Sequence, residues 1–322
     1  MNEMEKFADV FAGITPYAGT PPQGFYADWL GALTDAKFRA YLGIKREEIG
    51  GSPVQTSLPT MADGEAWFEA VNQVVAAREA KDGFVMVTLG ACYGAQAVGS
   101  YLALQRLNPM PCKLVAVEPE PSNLQWVAQH MSDNGINPDD HWLVGSAISD
   151  TNSPVFFPVG APGSGAQNCF SSNESGAREH YVRSLIESGQ TEEALRNLLL
   201  RNTTGLKKDL LPGGNFEAEI TVMSAVTLRD ILSPYDRVDY LEVDIQQSEI
   251  IVFPPFMDLV KRKVRRVHLG THGIDVHEAL AAAFRRDGWE IVFDFAPNSE
   301  FTTSLGSFTT NDGVLSVRNP DF

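Results

Sequence analysis

The sequence predicts an α/β fold in which helices cover both faces of a largely parallel sheet. From residue 83 onward, short apolar runs alternate with helical stretches. The first three runs span 84–89, 113–118 and 141–149, with helices expected between them over about 94–107 and 122–134. Apolar runs that are bounded by turns and separated by helices are typical of βαβ units.

The carboxyl-terminal part continues this alternation and then changes it. Strands are expected at 238–245 and 264–271, followed by a helix over about 275–287. The last two apolar runs, 289–295 and 313–319, are joined by a polar loop without a helical pattern. These two runs are therefore expected to pair antiparallel at one edge of a doubly wound sheet.

The chain divides into an N-terminal helical extension, residues 1–82, and an α/β domain, residues 83–322. The aromatic side chains of the extension are expected to pack against the sheet or against a second subunit, which leaves a homo-oligomer open. Helices of the extension are expected over 3–11, over 35–42 with Thr34 as N-cap, and over 63–80, where apolar residues recur at three- and four-residue steps.

A segment between the third and fourth strands interrupts the regular pattern. Residues 160–176 are rich in Gly and Ser, and a polar helical stretch is expected over about 178–201. Long loops of this composition are usually functional or disordered. We expect a substrate or lid insertion at about 160–215 that is mobile without ligand and orders over the site.

Composition narrows the class of partner. The 322 residues carry 41 Asp and Glu against 25 Lys and Arg, a net charge of −16. This balance argues against broad contact with nucleic acid or an anionic membrane.

The cysteines Cys92, Cys112 and Cys169 show no CxxC spacing, and neither a signal peptide nor a long apolar span is apparent. A cytoplasmic protein that acts on a small molecule is expected.

A glycine turn after the first strand is the main indication of a ligand site. The segment VTLGACYG (87–94) leads from a buried strand into a turn that contains Gly90 and Gly94. Ligands of open α/β sheets bind beyond the carboxyl ends of the strands. The spacing is GxxxG, not GxGxxG, so a nicotinamide dinucleotide is not favoured. The alternative is a tight turn that serves packing alone.

An acidic residue follows the second strand. Glu118 can accept hydrogen bonds from both ribose hydroxyls of a nucleoside ligand, or it is a solvated carboxylate at a strand end. Small residues follow the third strand in VGSAISD (144–150), where a flat adenine could lie against the backbone.

These segments, together with VDYLEVDIQQSE (238–249), resemble the FkbM-type S-adenosylmethionine-dependent methyltransferases. The resemblance covers roughly residues 83–322. It implies a seven-stranded class I methyltransferase (Rossmann-like) sheet with an antiparallel C-terminal strand and S-adenosylmethionine as cofactor. The turn 90–94 would hold the amino acid moiety of the cofactor, and Asp244 would face the reacting methyl group. The cofactor-binding residues implied in this way are Thr88, Gly90, Ala91, Cys92, Tyr93, Gly94, Glu118, Pro119, Asn123, Ser146, Ala147 and Asp244.

Three positions depart from the family pattern. Thr88 stands where the first strand of the family often ends in Asp, so a charge toward the ammonium group of the cofactor is missing. The family motif DVEGAE appears as DIQQSE at 244–249, which retains the acids at Asp244 and Glu249 and loses the glycine. The segment VHLGTHG (267–273) lacks the acid that often follows the next strand.

Two residues are candidates for the catalytic base. If the strands at 238–245 and 264–271 are parallel neighbours, His272 lies beside Asp244 at one rim of the sheet. Histidine is suited to take a proton from a methyl acceptor near neutral pH, and Asp244 is the second candidate. Alternatively His272 is a structural cap. Asp244, Glu249 and His272 also offer oxygen and nitrogen ligands for a divalent metal, but their spacing is not specific and no metal is predicted.

The predicted function is O-methylation of a hydroxyl on a sugar or secondary metabolite by in-line methyl transfer, with His272 or Asp244 assisting proton removal. A nicotinamide oxidoreductase is disfavoured by the missing third glycine. A nucleoside-binding or scaffolding module of the same fold that has lost catalysis remains the main alternative.

Overall fold

The computed structural model describes residues 3–159, 162–163, 170–171 and 219–322. Its centre is a seven-stranded sheet with the order β3-β2-β1-β4-β5-β7-β6. Strand β7 is antiparallel to both of its neighbours, and the other adjacent strands are parallel. The strands are β1 Phe84–Leu89, β2 Cys112–Val117, β3 Trp142–Val144, β4 Tyr240–Val243, β5 Arg266–Thr271, β6 Glu290–Phe295 and β7 Gly313–Arg318.

Helices cover both faces of this sheet. The α-helices are α1 Glu65–Glu79, α2 Ala95–Leu107, α3 Pro121–Asp133, α4 Leu228–Leu232, α5 Glu249–Val252, α6 Met257–Lys263 and α7 Ile274–Arg286. Short 3₁₀ helices span Glu3–Phe7, Ala36–Leu42, Arg46–Glu48, Met61–Asp63, Pro138–Asp140 and Pro254–Phe256.

Alternation along the strands explains the two layers. Successive side chains of a strand point to opposite faces. Val87 and Leu89 of β1 belong to the buried cluster that contains residues of α4, α6 and α7. Phe84 and Met86, at the even-numbered positions of the same strand, point to the other face and belong to the cluster that contains residues of α2 and α3. The predicted doubly wound sheet, including the antiparallel pairing of the last two strands, is confirmed.

The third predicted strand is shorter than expected. It ends at Val144, and Ala147–Ile148 pair instead with Ala225–Val226 in a separate two-stranded sheet. The intervening Gly145 and Ser146 therefore mark a change of sheet, not the middle of one strand. Other short pairings join Ala18–Gly19 to Val54–Gln55, Phe25–Ala27 to Leu33–Asp35, Val155–Val159 to Phe170–Ser171 and Glu219–Met223, and Ser299–Thr303 to Gly306–Thr310.

The N-terminal extension is less helical than predicted and packs against the α/β domain. Its second helix is a 3₁₀ helix, and Asp35, not Thr34, is the N-cap: the Asp35 carboxylate accepts the Lys37 backbone N–H at 3.0 Å. Thr34 instead lies 3.2 Å from His130 of α3. Phe38 is fully buried and stacks on Tyr93.

The Gly/Ser-rich loop at 160–176 and the helix expected over 178–201 lie outside the described residues, apart from 162–163 and 170–171. Within the described part of the chain, no helix has the length and apolar character needed to cross a bilayer.

Candidate functional site

A cavity opens at the carboxyl ends of β1, β2 and β4, where the order of strands reverses between β1 and β4. Its empty volume is about 570 Å³, including the part open to solvent. This is the edge at which open α/β sheets bind ligands. The lining residues are Gly90, Cys92, Val117, Glu118, Pro119, Asn123, Ala147, Ile148, Phe157, Asp244, Ile245, Gln246 and Ser248.

The turn after β1 brings backbone to the cavity wall. Gly90 has φ +81°, and a Cβ placed there would lie 1.8 Å from the carbonyl oxygen of Asp244. Only glycine fits both constraints. The N–H groups of Gly90 and Ala91 both donate to the Val117 carbonyl, at 3.0 and 3.1 Å, which ties the turn to the end of β2.

Glu118 closes the same side of the cavity. Its Oε2 accepts the Cys92 N–H at 2.7 Å, and its Oε1 accepts the Glu120 N–H at 2.9 Å and the Asn123 side-chain amide at 3.4 Å. Burial raises the pKa of Glu118 to about 7, against the opposing effect of these hydrogen bonds. A carboxylate accepts about four hydrogen bonds, so Glu118 retains capacity for a ligand hydroxyl.

The structure brings most of the predicted cofactor residues to this cavity. Lining positions are held by Gly90, Cys92, Glu118, Pro119, Asn123, Ala147 and Asp244, whereas Thr88, Ala91, Tyr93, Gly94 and Ser146 are not among them. Cys92 is not a reactive thiol, because burial and the nearby Glu118 carboxyl raise its pKa well above the usual range.

Three of the residues that do not line the cavity have other partners. The Thr88 hydroxyl is fully buried and donates to Glu242. It is therefore not placed to bind the ammonium group of the cofactor. The Tyr93 hydroxyl accepts from the guanidinium of Arg39 at 2.9 Å. The Ser146 hydroxyl lies 2.7 Å from that of Ser224.

The opposite side of the cavity carries Asp244, one of the two candidate bases, and His272, the other, lies beside it. Strands β4 and β5 are parallel neighbours, as required for Asp244 and His272 to meet. His272 Nε2 lies 3.3 Å from Asp244 Oδ1, and its Nδ1 lies 3.0 Å from Glu249 Oε1. Asp312 Oδ1 is 3.5 Å from Nε2. Asp244 lines the cavity, whereas His272 does not.

The charges in this group set the proton affinity of each member. Burial lowers the pKa of His272, but the hydrogen bond to Glu249 and the charges of Asp244, Glu249 and Asp312 outweigh it and raise the pKa to about 10. Burial raises the pKa of Asp244 to about 6, and the charge of His272 opposes that rise. At neutral pH the imidazole is therefore protonated while Asp244 is ionised.

Sequence reasoning missed Gln246 and Asp312. The Gln246 side-chain nitrogen lies 3.1 Å from Asp244 Oδ1 and 2.7 Å from His272 Nε2. Asp312 immediately precedes β7, and the antiparallel pairing of Gly313 with Thr271 brings it to the rim. An antiparallel strand begins where its neighbour ends, so the start of β7 lies beside the end of β5. An acid just before β7 could therefore have been expected at this rim.

Two further histidines near this rim, His268 and His277, have partners within the fold. His268 bonds to Ser316 at 2.8 Å, and burial lowers its pKa to about 4. His277 lies 2.8 Å from both Thr271 and Asp294. Over residues 3–159 and 219–322 and the two short described segments, no group of three or more His, Cys, Asp or Glu side chains is arranged to hold a metal ion.

Strand order assigns the fold. With the order β3-β2-β1-β4-β5-β7-β6 and only β7 reversed, the sheet has the topology expected of class I methyltransferases. The fold is that of a class I methyltransferase. The predicted fold class is thereby confirmed.

Comparisons with known proteins give the following. No family model matches the chain. A putative methyltransferase of Jannaschia sp. (strain CCS1) is 23% identical over 262 residues, 80% of this chain and 80% of that protein. The methyltransferase FkbM of Methylobacillus flagellatus KT has a TM-score of 0.39 and 11% identity over 74% of this chain and 45% of its own. Precorrin-6y C5,15-methyltransferase of Geobacter metallireducens GS-15 has a TM-score of 0.38 and 9% identity over 81% and 91%.

Proposed function

We propose that this protein is an S-adenosylmethionine-dependent methyltransferase of the FkbM type that methylates a hydroxyl group on a small molecule, a sugar or a secondary metabolite. One observation carries the proposal. At the switch point of the sheet, a single cavity has a glycine turn and the Glu118 carboxyl on one side and the Asp244 carboxyl on the other. The sequence similarity to a protein described as a putative methyltransferase supports it.

The residues of the cavity suit the proposed cofactor. Gly90 lines the cavity without a side chain, so a ligand can approach the backbone there, and Glu118 has unused acceptor capacity toward ribose hydroxyls. Ala147, Ile148 and Phe157 offer apolar surface for an adenine ring. Bound S-adenosylmethionine would supply an electrophilic methyl group and leave as a neutral thioether.

The geometry favours Asp244 over His272 as the proton acceptor. His272 does not line the cavity, and a ring with a pKa of about 10 already carries its second proton at neutral pH. We therefore propose Asp244, and not His272, as the base. The imidazolium keeps Asp244 ionised, and the Asp244 carboxylate takes the acceptor's hydroxyl proton as the acceptor oxygen bonds to the methyl carbon. Alignment within the cavity provides most of the rate, and the base adds about 10²–10⁴.

The test is methyl transfer itself. The protein is incubated with S-adenosylmethionine and a panel of sugars and hydroxylated metabolites, and products heavier by one methylene are sought by mass spectrometry. We expect transfer that falls by about 10²–10⁴ in Asp244→Asn, with unchanged affinity for S-adenosylhomocysteine. Cofactor binding without transfer to any acceptor would instead identify the inactive module.

The net charge of the chain supports a small-molecule acceptor. With a net charge of −16, an acceptor that is a free small molecule is favoured over nucleic acid or an anionic membrane surface. We propose that the protein works in the cytoplasm.

A further inference from the structure

Gly163, in the insertion that the sequence predicts at about 160–215, places a backbone N–H behind Asn123, which lines the cavity. This N–H donates to Asn123 Oδ1 at 2.7 Å. A backbone N–H can only donate, so the oxygen of the Asn123 amide faces Gly163 and its nitrogen is free to face Glu118. That nitrogen donates to Glu118 Oε1 at 3.4 Å. Hydrogen bonds thus lead from Gly163 through Asn123 to the Glu118 carboxyl group.

Only glycine fits at position 163. Pro162 and Gly163 lie in a turn, and Gly163 has φ +79°, a residue order that type II turns favour. A Cβ at this position would lie 2.2 Å from the carbonyl oxygen of Phe38 and 3.2 Å from the Trp126 ring. The rings of Phe38 and Trp126 are themselves in contact, with centroids 5.1 Å apart. The N–H of Gly163 is therefore fixed by the N-terminal extension on one side and by α3 on the other.

The Asn123 amide has one orientation that satisfies both neighbours. Asn123 lies in the first turn of α3 and is only 1% exposed, so its polar atoms need partners within the protein. Gly163 supplies a donor to its oxygen, and Glu118 supplies an acceptor to its nitrogen. Rotation of the amide by 180° would bring its nitrogen to the N–H group and its oxygen to the carboxyl group, and both bonds would be lost. The donor that faces Glu118 is therefore held in place by Gly163.

A single donor matters at Glu118 because this carboxyl group titrates near neutral pH. Its other donors are the backbone N–H groups of Cys92 and Glu120, at 2.7 and 2.9 Å. Burial raises the pKa of Glu118 to about 7, the charge of Glu120 adds to that rise, and the three hydrogen bonds oppose it. The facing Cys92 thiol is uncharged, because burial raises its pKa. A further rise of 1 in the pKa of Glu118 would cut its ionised fraction at pH 7 from about one half to about one tenth.

Resting on the proposed function, we propose that Gly163 is a positioning residue for the cofactor: its backbone N–H orients the Asn123 amide, and this amide keeps the Glu118 carboxylate available to the ribose hydroxyls. Asn123, which the family resemblance assigns to cofactor binding, then acts on the cofactor through Glu118. Gly163 and Phe38 do not themselves line the cavity. The insertion and the N-terminal extension thereby influence cofactor affinity from behind the cavity wall.

The experiment is an NMR titration of the full chain, labelled at the Glu carboxyl carbons and free of ligand, with Glu118→Gln to identify the resonance. In Asn123→Ala the pKa of Glu118 should rise by about 1, because a donor to the ionised carboxylate is lost. Gly163→Ala should raise it by about 0.5, because the new Cβ displaces the N–H that orients the amide. The double variant should match Asn123→Ala, since Gly163 acts through that side chain. Gly135→Ala, at φ +73° with no atom within 4 Å of its Cβ, should leave the pKa unchanged.

Ligand affinity provides a second measurement. In calorimetric titration at pH 7, Asn123→Ala should bind S-adenosylhomocysteine about fivefold more weakly than the wild type, in proportion to the ionised fraction of Glu118. At pH 9 the carboxyl group is ionised in both proteins, and most of the difference should disappear. A purely structural role of Asn123 predicts a loss of affinity that is equal at the two pH values.

Several results would overturn the proposal. An unchanged pKa of Glu118 in Asn123→Ala would show that the amide does not act on the carboxyl group. Rises that add in the double variant would show that Gly163 acts by another route. If Gly163→Ala does not fold by circular dichroism, amide exchange replaces it: the Gly163 hydrogen should exchange faster in Asn123→Ala than in the wild type, and equal rates would contradict the bond. Failure of the wild type to bind S-adenosylhomocysteine would refute the proposed function and leave the link between Gly163 and Glu118 standing.

Discussion

The half of the cavity formed after β1 and β2 has a glycine turn and one carboxyl group that receives N–H donors, whereas the half after β4 has the Asp244 carboxyl, which adjoins a group of ionisable side chains outside the cavity lining. In the first half, Glu118 accepts two backbone N–H groups and one side-chain amide. Beside the second half, Asp244, Glu249 and Asp312 surround the imidazole ring of His272, and of these four residues only Asp244 lines the cavity.

This difference predicts that the first half is sensitive to added atoms and the second half is sensitive to pH. A wall made of backbone depends on steric fit, so a single added methyl group can disrupt it. A group of interacting charges depends on pH, because each member alters the proton affinity of the others. The two halves meet at Gly90, which faces the Asp244 carbonyl.

Gly90→Ala should have the largest effect. The new Cβ would lie 1.8 Å from the carbonyl oxygen of Asp244 at φ +81°, so the turn after β1 or the one after β4 must move. We expect the free energy of unfolding to fall by about 4 kcal/mol, measured by urea denaturation, with loss of cofactor binding.

Gly135→Ala is the matched control for that prediction. Gly135 has φ +73°, but no atom lies within 4 Å of the Cβ position. The loss there should be only about 1 kcal/mol, the cost of the left-handed conformation alone. Equal losses in the two variants would refute close packing between the halves.

The ionisable group around His272 should make the free energy of unfolding fall at alkaline pH. The pKa of His272 is raised from 6.5 to about 10 in the folded protein. Its contribution is therefore complete below about pH 6.5 and is lost as the pH rises through 10. Between pH 7 and 10 the wild type should lose about 3 kcal/mol more of its unfolding free energy than His272→Gln does. Parallel pH curves for the two proteins would mean that the ring carries no extra proton.

A smaller effect should come from the strained turn at Gln247. Gln247→Gly and Gln247→Ala both remove the side chain of a residue at φ +75°, and we expect the Gly variant to be the more stable of the two by about 0.5 kcal/mol after the greater entropy of unfolded glycine is subtracted. Gln247→Ala keeps the strain and should show no gain. Thermal unfolding of both variants measures the difference, and equal melting temperatures would remove backbone strain from the account.

The fold could largely be predicted from the sequence, because strand and helix periodicities are local. The course of β1, β2, β5 and α7 follows from apolar spacing, and so does the meeting of Asp244 with His272. The third strand was predicted too long because the pairing of Ala147–Ile148 with Ala225–Val226 depends on residues far apart in the chain. The N-cap Thr34 was wrong for a local reason, since Asp35 competes for the same N–H groups.

The candidate site was harder to predict on its charged side. Glu118 and Gly90 could be chosen from their positions at strand ends alone. Thr88 occupies such a position too, but its hydroxyl points to Glu242 on the neighbouring strand, which a single strand does not reveal. The contacts of Gln246 with Asp244 and His272 depend on a left-handed backbone at a residue with a side chain, and sequence patterns assign that conformation to glycine.

The central claim is that the cavity binds S-adenosylmethionine through Glu118, and calorimetric titration with S-adenosylhomocysteine tests it most directly. The wild type should bind this ligand and not NAD. Glu118→Ala should weaken binding by about 1.5–3 kcal/mol, the range for hydrogen bonds to a charged group. Because the pKa of Glu118 is about 7, wild-type affinity should rise as the pH increases through 7, and Glu118→Gln should abolish that rise. Equal affinity in wild type and Glu118→Ala, or no binding by the wild type, would contradict the account.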